Sequence, residues 1–252
     1  MNSRHVSVLV FLLILPVRAA SGITPEDVHA LVERVDGNSA PIQYESDLAI
    51  RNYGPGGSLT EQQAHVFRKG DKVLIAIVAP AIQRGQAVIR NADDMWMYLP
   101  NSGKVLRIGA KEQSMGGEAS NTDLLRVDLA KDYIGAHGGE EVIDGVPCYE
   151  LELRAKDRTI AYDRVVYWVS KDKELPVKRE FYSLSGKLLK TMYFKDLKSY
   201  QGRTRPSFIL IQNEKNPLYK TEIILMDMIE VNNLQDFMFT PSYAQRGIFG
   251  NR

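Results

Sequence analysis

The stretch DMWMYLPNSGKVLRI, residues 94–108, decides the fold class. Trp96 and Tyr98 alternate with two methionines and a leucine, so both faces of this strand carry large apolar side chains. A Pro-Asn-Ser-Gly turn follows and leads into a basic strand, which is typical of a hairpin. A strand that is apolar on both faces is either covered on both or lines a cavity with one of them.

Short strands separated by turn residues account for most of the chain. The predicted strands are 42–52, 61–69, 72–79, 86–91, 94–99, 104–108, 146–155, 162–170, 176–183, 187–197, 204–212 and 220–231. Because the connections are short and no helix alternates with the strands, we expect an antiparallel meander in a single domain. In the last strand, Ile223 and Leu225 are expected to oppose Ile224, Met226 and Met228.

Two segments break the strand pattern. Near the start, Thr24 and Pro25 are N-terminal helix signals, and a helical stripe of apolar residues ends at Gly37-Asn38. Further along, residues 109–139 are rich in Gly and Ser and contain a possible helical turn or two at 121–131. A long insertion in a β domain is usually functional or mobile, so this one is either a lid over an apolar surface or a plain loop.

The N-terminus resembles a secretory signal peptide. Arg4 precedes an apolar run at 6–16, and Val17-Arg18-Ala19 has the small-residue spacing of a cleavage site. The run is short for a transmembrane helix. We therefore expect a signal peptide at 1–19 and one mature, soluble domain at 20–252, with an uncleaved anchor as the alternative.

Catalytic, metal and nucleic-acid sites have little support in the composition. The net charge of +1 gives no reason to expect a nucleic-acid partner. Cys148 is the single cysteine, and His29, His65 and His137 stand far apart, so metal-ligand spacing is absent. No phosphate loop, nucleophile elbow or zinc-protease motif occurs, and we predict no cofactor and no enzyme activity. A catalytic site assembled from distant residues stays open as a less favoured alternative.

An ordered series of motifs occupies the middle of the chain, within a resemblance that extends over about residues 40–243. DMWMYLPNSGKVLRI, QSMGGEASNTDLL, DGVPCYELEL and LPVKREFYSLSGKLLKTMYFKDLK follow one another between residues 94 and 198. This series resembles the outer-membrane lipoprotein-sorting proteins, relatives of the periplasmic carrier LolA and its receptor LolB. The resemblance implies a mainly β (α+β) fold. That fold is a half-open antiparallel β-barrel of about eleven strands, with helices plugging the concave face over an apolar cavity.

The resemblance also implies a function. Such proteins carry lipids or the acyl chains of lipoproteins across the periplasm toward the outer membrane. The expected partners are a lipid or an acylated lipoprotein, with an inner-membrane exporter and an outer-membrane acceptor as further candidates. A non-shuttling lipid sensor or exporter-accessory module of the same fold is the alternative.

Two departures from the family pattern concern the lid and a gating arginine. Gly117, Glu118 and Ala119 stand where bulkier residues are expected, which predicts a looser lid. The gating arginine implied by the family has three candidates here, and they are Arg51, Arg68 and Arg90.

The cavity candidates are large apolar residues on the two-faced strands and in the insertion. They are Trp96, Tyr98, Met95, Met97, Phe67, Ile75, Met115, Leu124, Leu125, Trp168, Phe181, Met192 and Phe194. Since alternation allows only one face of strand 94–99 to line the cavity, Trp96 and Tyr98 are preferred over Met95 and Met97. Aromatic side chains with polar tips tolerate a partly wet mouth.

Overall fold

The computed structural model describes residues 23–125 and 129–248. Within these residues, thirteen strands form one antiparallel sheet. They are β1 (Gln43–Tyr53), β2 (Leu59–Lys69), β3 (Lys72–Ala79), β4 (Ala87–Asn91), β5 (Asp94–Leu99), β6 (Lys104–Arg107), β7 (Tyr133–Ile143), β8 (Val146–Ala155), β9 (Arg164–Ser170), β10 (Pro176–Tyr182), β11 (Leu188–Tyr200), β12 (Arg203–Asn213) and β13 (Lys220–Glu230). The spatial order is β6-β5-β4-β3-β2-β1-β13-β12-β11-β10-β9-β8-β7, so β6 and β7 are edge strands and the sheet is open.

All twelve predicted strands are present, with ends that differ by up to three residues. The strand β7 was not predicted, because its glycines resemble a loop in the sequence. At Gly135 a Cβ would lie 2.5 Å from Val28 Cγ1, so glycine is required where a helix crosses the edge strand. The sheet therefore has two more strands than the eleven that the resemblance implies.

Helix α1 (Pro25–Ser39) begins as predicted, with a capping box between Thr24 and Asp27. Its apolar stripe is completely buried. The predicted end at Gly37-Asn38 is wrong, since the helix continues to Ser39. There the Ser39 hydroxyl donates to the Val35 carbonyl at 2.7 Å.

The insertion contains the short helices α2 (Asn121–Leu125) and α3 (Leu129–Asp132), which confirms the expected helical turns. We call the described residues 109–125 the lid segment and the sheet face under α1 and α2 the inner face. Helix α1 packs with β7–β13, whereas α2 packs mainly with β1–β5. Leu48 and Leu124 contact both of these core clusters, which places them between the two halves of the inner face.

The outer face of β2–β5 is covered by the C-terminal segment. A 3-10 turn at Asp236–Phe239 and helix α4 (Pro241–Gln245) form a third core cluster there. Lys69 and Lys72 each form a 2.8 Å ion pair with Asp236 and so attach this segment to the sheet. The strand 94–99 is thus apolar on both faces because both of its faces are covered.

In the part of the chain that the structure describes, no helix has the length and apolar character needed to cross a bilayer. The predicted signal peptide at 1–19 lies outside the described residues, so the mature domain boundary stays a prediction.

Candidate functional site

A cavity of about 170 Å³ lies on the inner face, between the end of α1, helix α2 and the middle of the sheet. Most of its lining residues are apolar, and the others are two charged residues and four that carry a hydroxyl group. Its lining residues are Ser39, Ala40, Tyr44, Ser46, Leu48, Val66, Ile75, Asp123, Leu124, Pro176, Arg179, Met192, Phe194, Pro206, Ser207, Ile209, Ile223, Leu225 and Met228. An apolar cavity with a few polar groups is typical of a ligand site.

A β-bulge changes which residues of β13 face this cavity. The register between β1 and β13 shifts between Asp47 and Leu48, so strict alternation fails. As a result, Ile223, Leu225 and Met228 all line the cavity, whereas Met226 is exposed. The prediction that Met228 opposes Ile223 and Leu225 is therefore wrong.

The lid segment is attached to the sheet through a buried polar cluster. Asp123 of α2 forms an ion pair with Lys190 of β11. The Ser120 hydroxyl lies 2.9 Å from the Tyr162 hydroxyl, which also donates to Asp123 at 3.2 Å. Burial raises the pKa of Tyr162 well above its usual value, and the neighbouring Asp123 charge raises it further, so this phenol stays a neutral donor.

A second set of hydrogen bonds holds the preceding part of the lid segment. Asn52 donates to the Met115 carbonyl at 3.2 Å, and the Thr221 hydroxyl accepts from the Glu118 amide at 2.8 Å. Gly117 passes so close that a Cβ there would lie 2.0 Å from Asn52 Oδ1. Glycine at 117 thus permits a close contact with the sheet, and the looser lid stays a prediction.

The candidate gating arginines occupy three different environments. Arg90 is buried and donates to the Leu125 carbonyl at 3.1 Å, at the end of α2. Arg51 pairs with Glu61 at 2.9 Å on partly exposed surface. Arg68 lines an open groove beside α1. Of the three, Arg90 is the arginine with a described hydrogen bond to the lid segment.

Arg179 is a charged group in the cavity wall. It lies on β10, directly opposite Tyr167 of β9 and Met192 of β11. One terminal nitrogen donates to the Tyr167 hydroxyl at 2.9 Å, while its Nε is buried without a hydrogen-bond partner. The guanidinium carbon lies 4.3 Å from the Tyr167 ring centroid and 4.9 Å from that of Phe194. Burial raises the pKa of Tyr167 to about 12.

The predicted cavity residues divide between the two faces of the sheet. Ile75, Leu124, Met192 and Phe194 line the cavity. Five others lie on the inner face without lining it, and they are Met95, Met97, Met115, Leu125 and Phe181.

Four candidates lie on the outer face, where they pack against other elements. Phe67, Trp96 and Tyr98 pack against the C-terminal segment, and Trp168 packs with Cys148. This placement reverses the preference for Trp96 and Tyr98 over the methionines. The reason is that a segment more than 130 residues further along the chain covers that face, which local alternation does not reveal. Contact between a ligand and any of these residues stays a prediction.

Several residues that line the cavity were not predicted from the sequence, among them Arg179, Asp123, Ile209 and Leu225. The sequence does contain a signal for Arg179. It stands two residues before Phe181 and therefore lies on the same, buried face of β10. A basic residue on the buried face of a strand is uncommon unless it has a partner or a function.

A larger groove of about 590 Å³ runs beside α1 and shares Ala40 with the cavity. This groove is open to solvent, and its wall carries the charged residues Glu33, Asp36, Lys131 and Lys156. We therefore take the smaller and more enclosed cavity as the candidate site for an apolar ligand.

Comparisons with known proteins agree with this architecture. A family described as "Uncharacterized protein"-like matches residues 69–246, which is more than half of the chain. A LolA superfamily protein from Nitrosomonas europaea is 29% identical, with a TM-score of 0.77 over 85% of this chain and 97% of that one. The chain belongs to the family that matches residues 69–246. In sequence and fold it is similar to the LolA superfamily protein.

Two further solved structures show the same fold. A DUF1329 family protein from Desulfovibrio piger is 24% identical, with a TM-score of 0.79 over 87% of this chain and 98% of that one. A putative outer membrane lipoprotein-sorting protein domain from Vibrio parahaemolyticus is 23% identical, with a TM-score of 0.77 over 88% of this chain and the whole of that one. No curated protein matches the sequence.

Proposed function

We propose that this LolA-like protein is a periplasmic carrier that binds lipid or lipoprotein acyl chains in the inner-face cavity and delivers them toward the outer membrane. The observation that carries the proposal is the apolar cavity of about 170 Å³ enclosed by α2 and the sheet. The predicted signal peptide supports the periplasmic location. No bond is made or broken in this role, so the protein would act as a binding protein and not as an enzyme.

The driving force for binding is the removal of hydrocarbon from water. Each CH₂ group transferred to an apolar site contributes about 0.8 kcal/mol. Leu48, Ile209, Ile223 and Leu225 provide such a site in the middle of the sheet. Met192 and Met228 line the same space, and unbranched methionine side chains adapt to acyl chains of different shape.

The size of the cavity constrains the ligand that fits without movement. A dry cavity of about 150 Å³ is known to bind benzene, so a cavity of similar size admits only a short alkyl segment. A full acyl chain requires the lid segment to move away from the sheet. The proposed cycle therefore has an open state that loads a chain and a closed state, described here, in which the cavity is small.

The first experiment is extraction of lipids from the purified mature protein, followed by mass spectrometry. A fluorescent fatty acid then measures affinity in the wild type and in two variants. We expect Leu225→Trp to weaken binding at least tenfold, because the indole fills the cavity. Met226→Trp is the matched control on the neighbouring residue, whose side chain is exposed, and it should bind as the wild type does.

Delivery of the lipid is tested separately from binding. Loaded protein is mixed with acceptor vesicles, and transfer of the labelled chain is followed with time. A carrier transfers its chain to the vesicles, whereas a lipid sensor of the same fold retains it.

In the binding experiment, equal binding by Leu225→Trp and wild type would contradict the choice of this cavity.

A further inference from the structure

We propose that the cavity binds the anionic head group of its ligand at Arg179, so that the ligand is an alkyl chain ending in a carboxylate or a phosphate. This inference rests on the proposed function and adds to it the chemical class of the ligand. A neutral acyl chain needs only an apolar wall. The wall of this cavity contains a guanidinium group whose Nε has no hydrogen-bond partner among the described residues.

The burial of Arg179 makes its incomplete hydrogen bonding significant. The residue is 9% exposed, and its Nε has no hydrogen-bond partner. It forms no ion pair with another of the described residues. A buried, charged donor without a partner is costly, and arginine presents five N–H donors that suit carboxylate and phosphate oxygens. An anionic ligand would supply the missing acceptor.

Two aromatic rings hold the guanidinium of Arg179 in place. Tyr167 and Phe194 each approach it within 5 Å of their ring centroids, so its position is fixed by stacking as well as by the Tyr167 hydrogen bond. Phe194 lines the cavity together with Arg179. A chain whose head group binds Arg179 can therefore extend along the apolar residues of β12 and β13.

The charge balance of the buried residues also favours an anion. Among the buried residues of the described chain, the charged ones are all basic, and they are Arg68, Arg90, Arg179, Lys190 and Arg205. The Asp123 side chain is buried as well, but its carboxylate is paired with Lys190. Asp123 lines the main cavity and has Lys190 as its ion-pair partner, so Arg179 is the charged residue of the described lining that lacks one.

A small adjoining void defines the side on which the anion would bind. This void of about 30 Å³ shares Asp123, Arg179 and Met192 with the main cavity, and Asp132 also lines it. At about 30 Å³ this void has room for little more than one water molecule and is too small for a head group. We therefore place the head group on the main-cavity side of Arg179, where Asp123 is the single acidic residue of the described wall.

The test compares ligands with the same alkyl chain and different head groups. Octanoate, octyl phosphate, octanol and octyltrimethylammonium are titrated into the mature protein by calorimetry, at a pH where both acids are ionised. We expect the anions to bind about tenfold or more tightly than octanol, which is the effect of charge-assisted hydrogen bonds, and the cation to bind most weakly. A preference for octanoate points to free fatty acids, and a preference for octyl phosphate points to phospholipids.

Variants assign the effect to one residue. Arg179→Met should lower the affinity for the anions to that for octanol and leave octanol binding unchanged, while Arg179→Lys should retain part of the preference. Lys178→Met is the matched control, because Lys178 lies on the same strand and pairs with Glu180 on the other face. A thermal melt of each variant confirms that it is folded.

Three results would overturn the inference. If octanol binds as tightly as the anions, or if Arg179→Met weakens all ligands equally, the anion site is wrong while binding of alkyl chains stands. If none of the ligands binds the wild type, both the anion site and the proposed function fail.

Discussion

Asp123 of α2 and Lys190 of β11 form an ion pair that is almost completely removed from water, with side-chain exposures of 1% and 8%. Lys190 also donates to the Glu118 carbonyl at 3.1 Å, so one ammonium group holds two points of the lid segment. A buried ion pair adds little net stability, but it specifies one position of the lid segment, because every misplacement leaves a charge unpaired. Such an attachment suits a segment that, in the proposed cycle, opens and then returns.

The ion pair makes a prediction about stability. Asp123→Asn leaves Lys190 buried and unpaired, and we expect a loss of about 3–5 kcal/mol in the free energy of unfolding. The double variant Asp123→Leu/Lys190→Met replaces both charges by apolar groups and should recover most of that loss. Urea unfolding of the single and double variants measures the coupling. A loss below about 1 kcal/mol for Asp123→Asn would mean that water reaches the pair.

The two faces of the sheet make a second prediction. Ile75→Ala and Tyr98→Ala both remove buried side chains, and each should lower the free energy of unfolding by about 2–5 kcal/mol. Only Ile75 lines the cavity, so only Ile75→Ala should enlarge it and shift the preferred ligand to a longer alkyl chain. Titration with fatty acids of increasing length measures the shift. A change in preference for Tyr98→Ala alone would restore the outer face as the binding face.

Local sequence signals were sufficient for most of the fold. Alternation and turn residues located the strands, because in an antiparallel meander each pairing is between neighbours in the chain. The strand β7 was missed because a helix contact, and not the strand itself, demands Gly135. Its edge position also leaves residues such as Ile134 and Val142 exposed, which removes the usual apolar pattern.

The site was harder to predict because long-range packing defines it. The sequence shows that both faces of β5 are apolar, but Leu234 and Phe239, which cover one of them, are remote in the chain. The β-bulge opposite Asp47 shifts the register of β13 and so brings Met228 into the cavity. Strict alternation of side chains between the two faces does not predict this shift. The sequence shows Arg179 as a basic residue on an apolar strand face. Only the structure shows that its Nε has no hydrogen-bond partner among the described residues.

The lid segment makes a third prediction, at two adjacent glycines. Gly116 and Gly117 have φ values of +77° and +67°, so an alanine at either position is strained, by about 1 kcal/mol. Only at Gly117 does the new Cβ also collide, at 2.0 Å from Asn52 Oδ1, whereas at Gly116 the nearest atom is 3.6 Å away. We expect Gly117→Ala to be less stable than Gly116→Ala by about 1–3 kcal/mol, measured by chemical denaturation. Equal losses would show that the lid segment moves freely away from Asn52.

The C-terminal segment makes a prediction about pH. Hydrogen bonds from Lys69 and then Lys72 lower the pKa of Asp236 to about 2, from an ordinary value of 3.8. Because the pKa is lower in the folded protein, the ionised carboxylate stabilises the fold above the ordinary value, and this contribution is lost as the pH falls toward 2. The difference in free energy of unfolding between wild type and Asp236→Asn should therefore be constant above about pH 5 and shrink between about pH 4 and pH 2.

The control for this pH effect removes the two lysines. In a Lys69→Met/Lys72→Met background, Asp236→Asn should have little effect at any pH, since the groups that lower the pKa are gone. Fluorescence of Trp96, which packs against the C-terminal segment, reports its release, in a Trp168→Phe background that removes the other tryptophan of the chain. A difference that persists unchanged down to pH 2 would mean that Asp236 does not hold the segment through its charge.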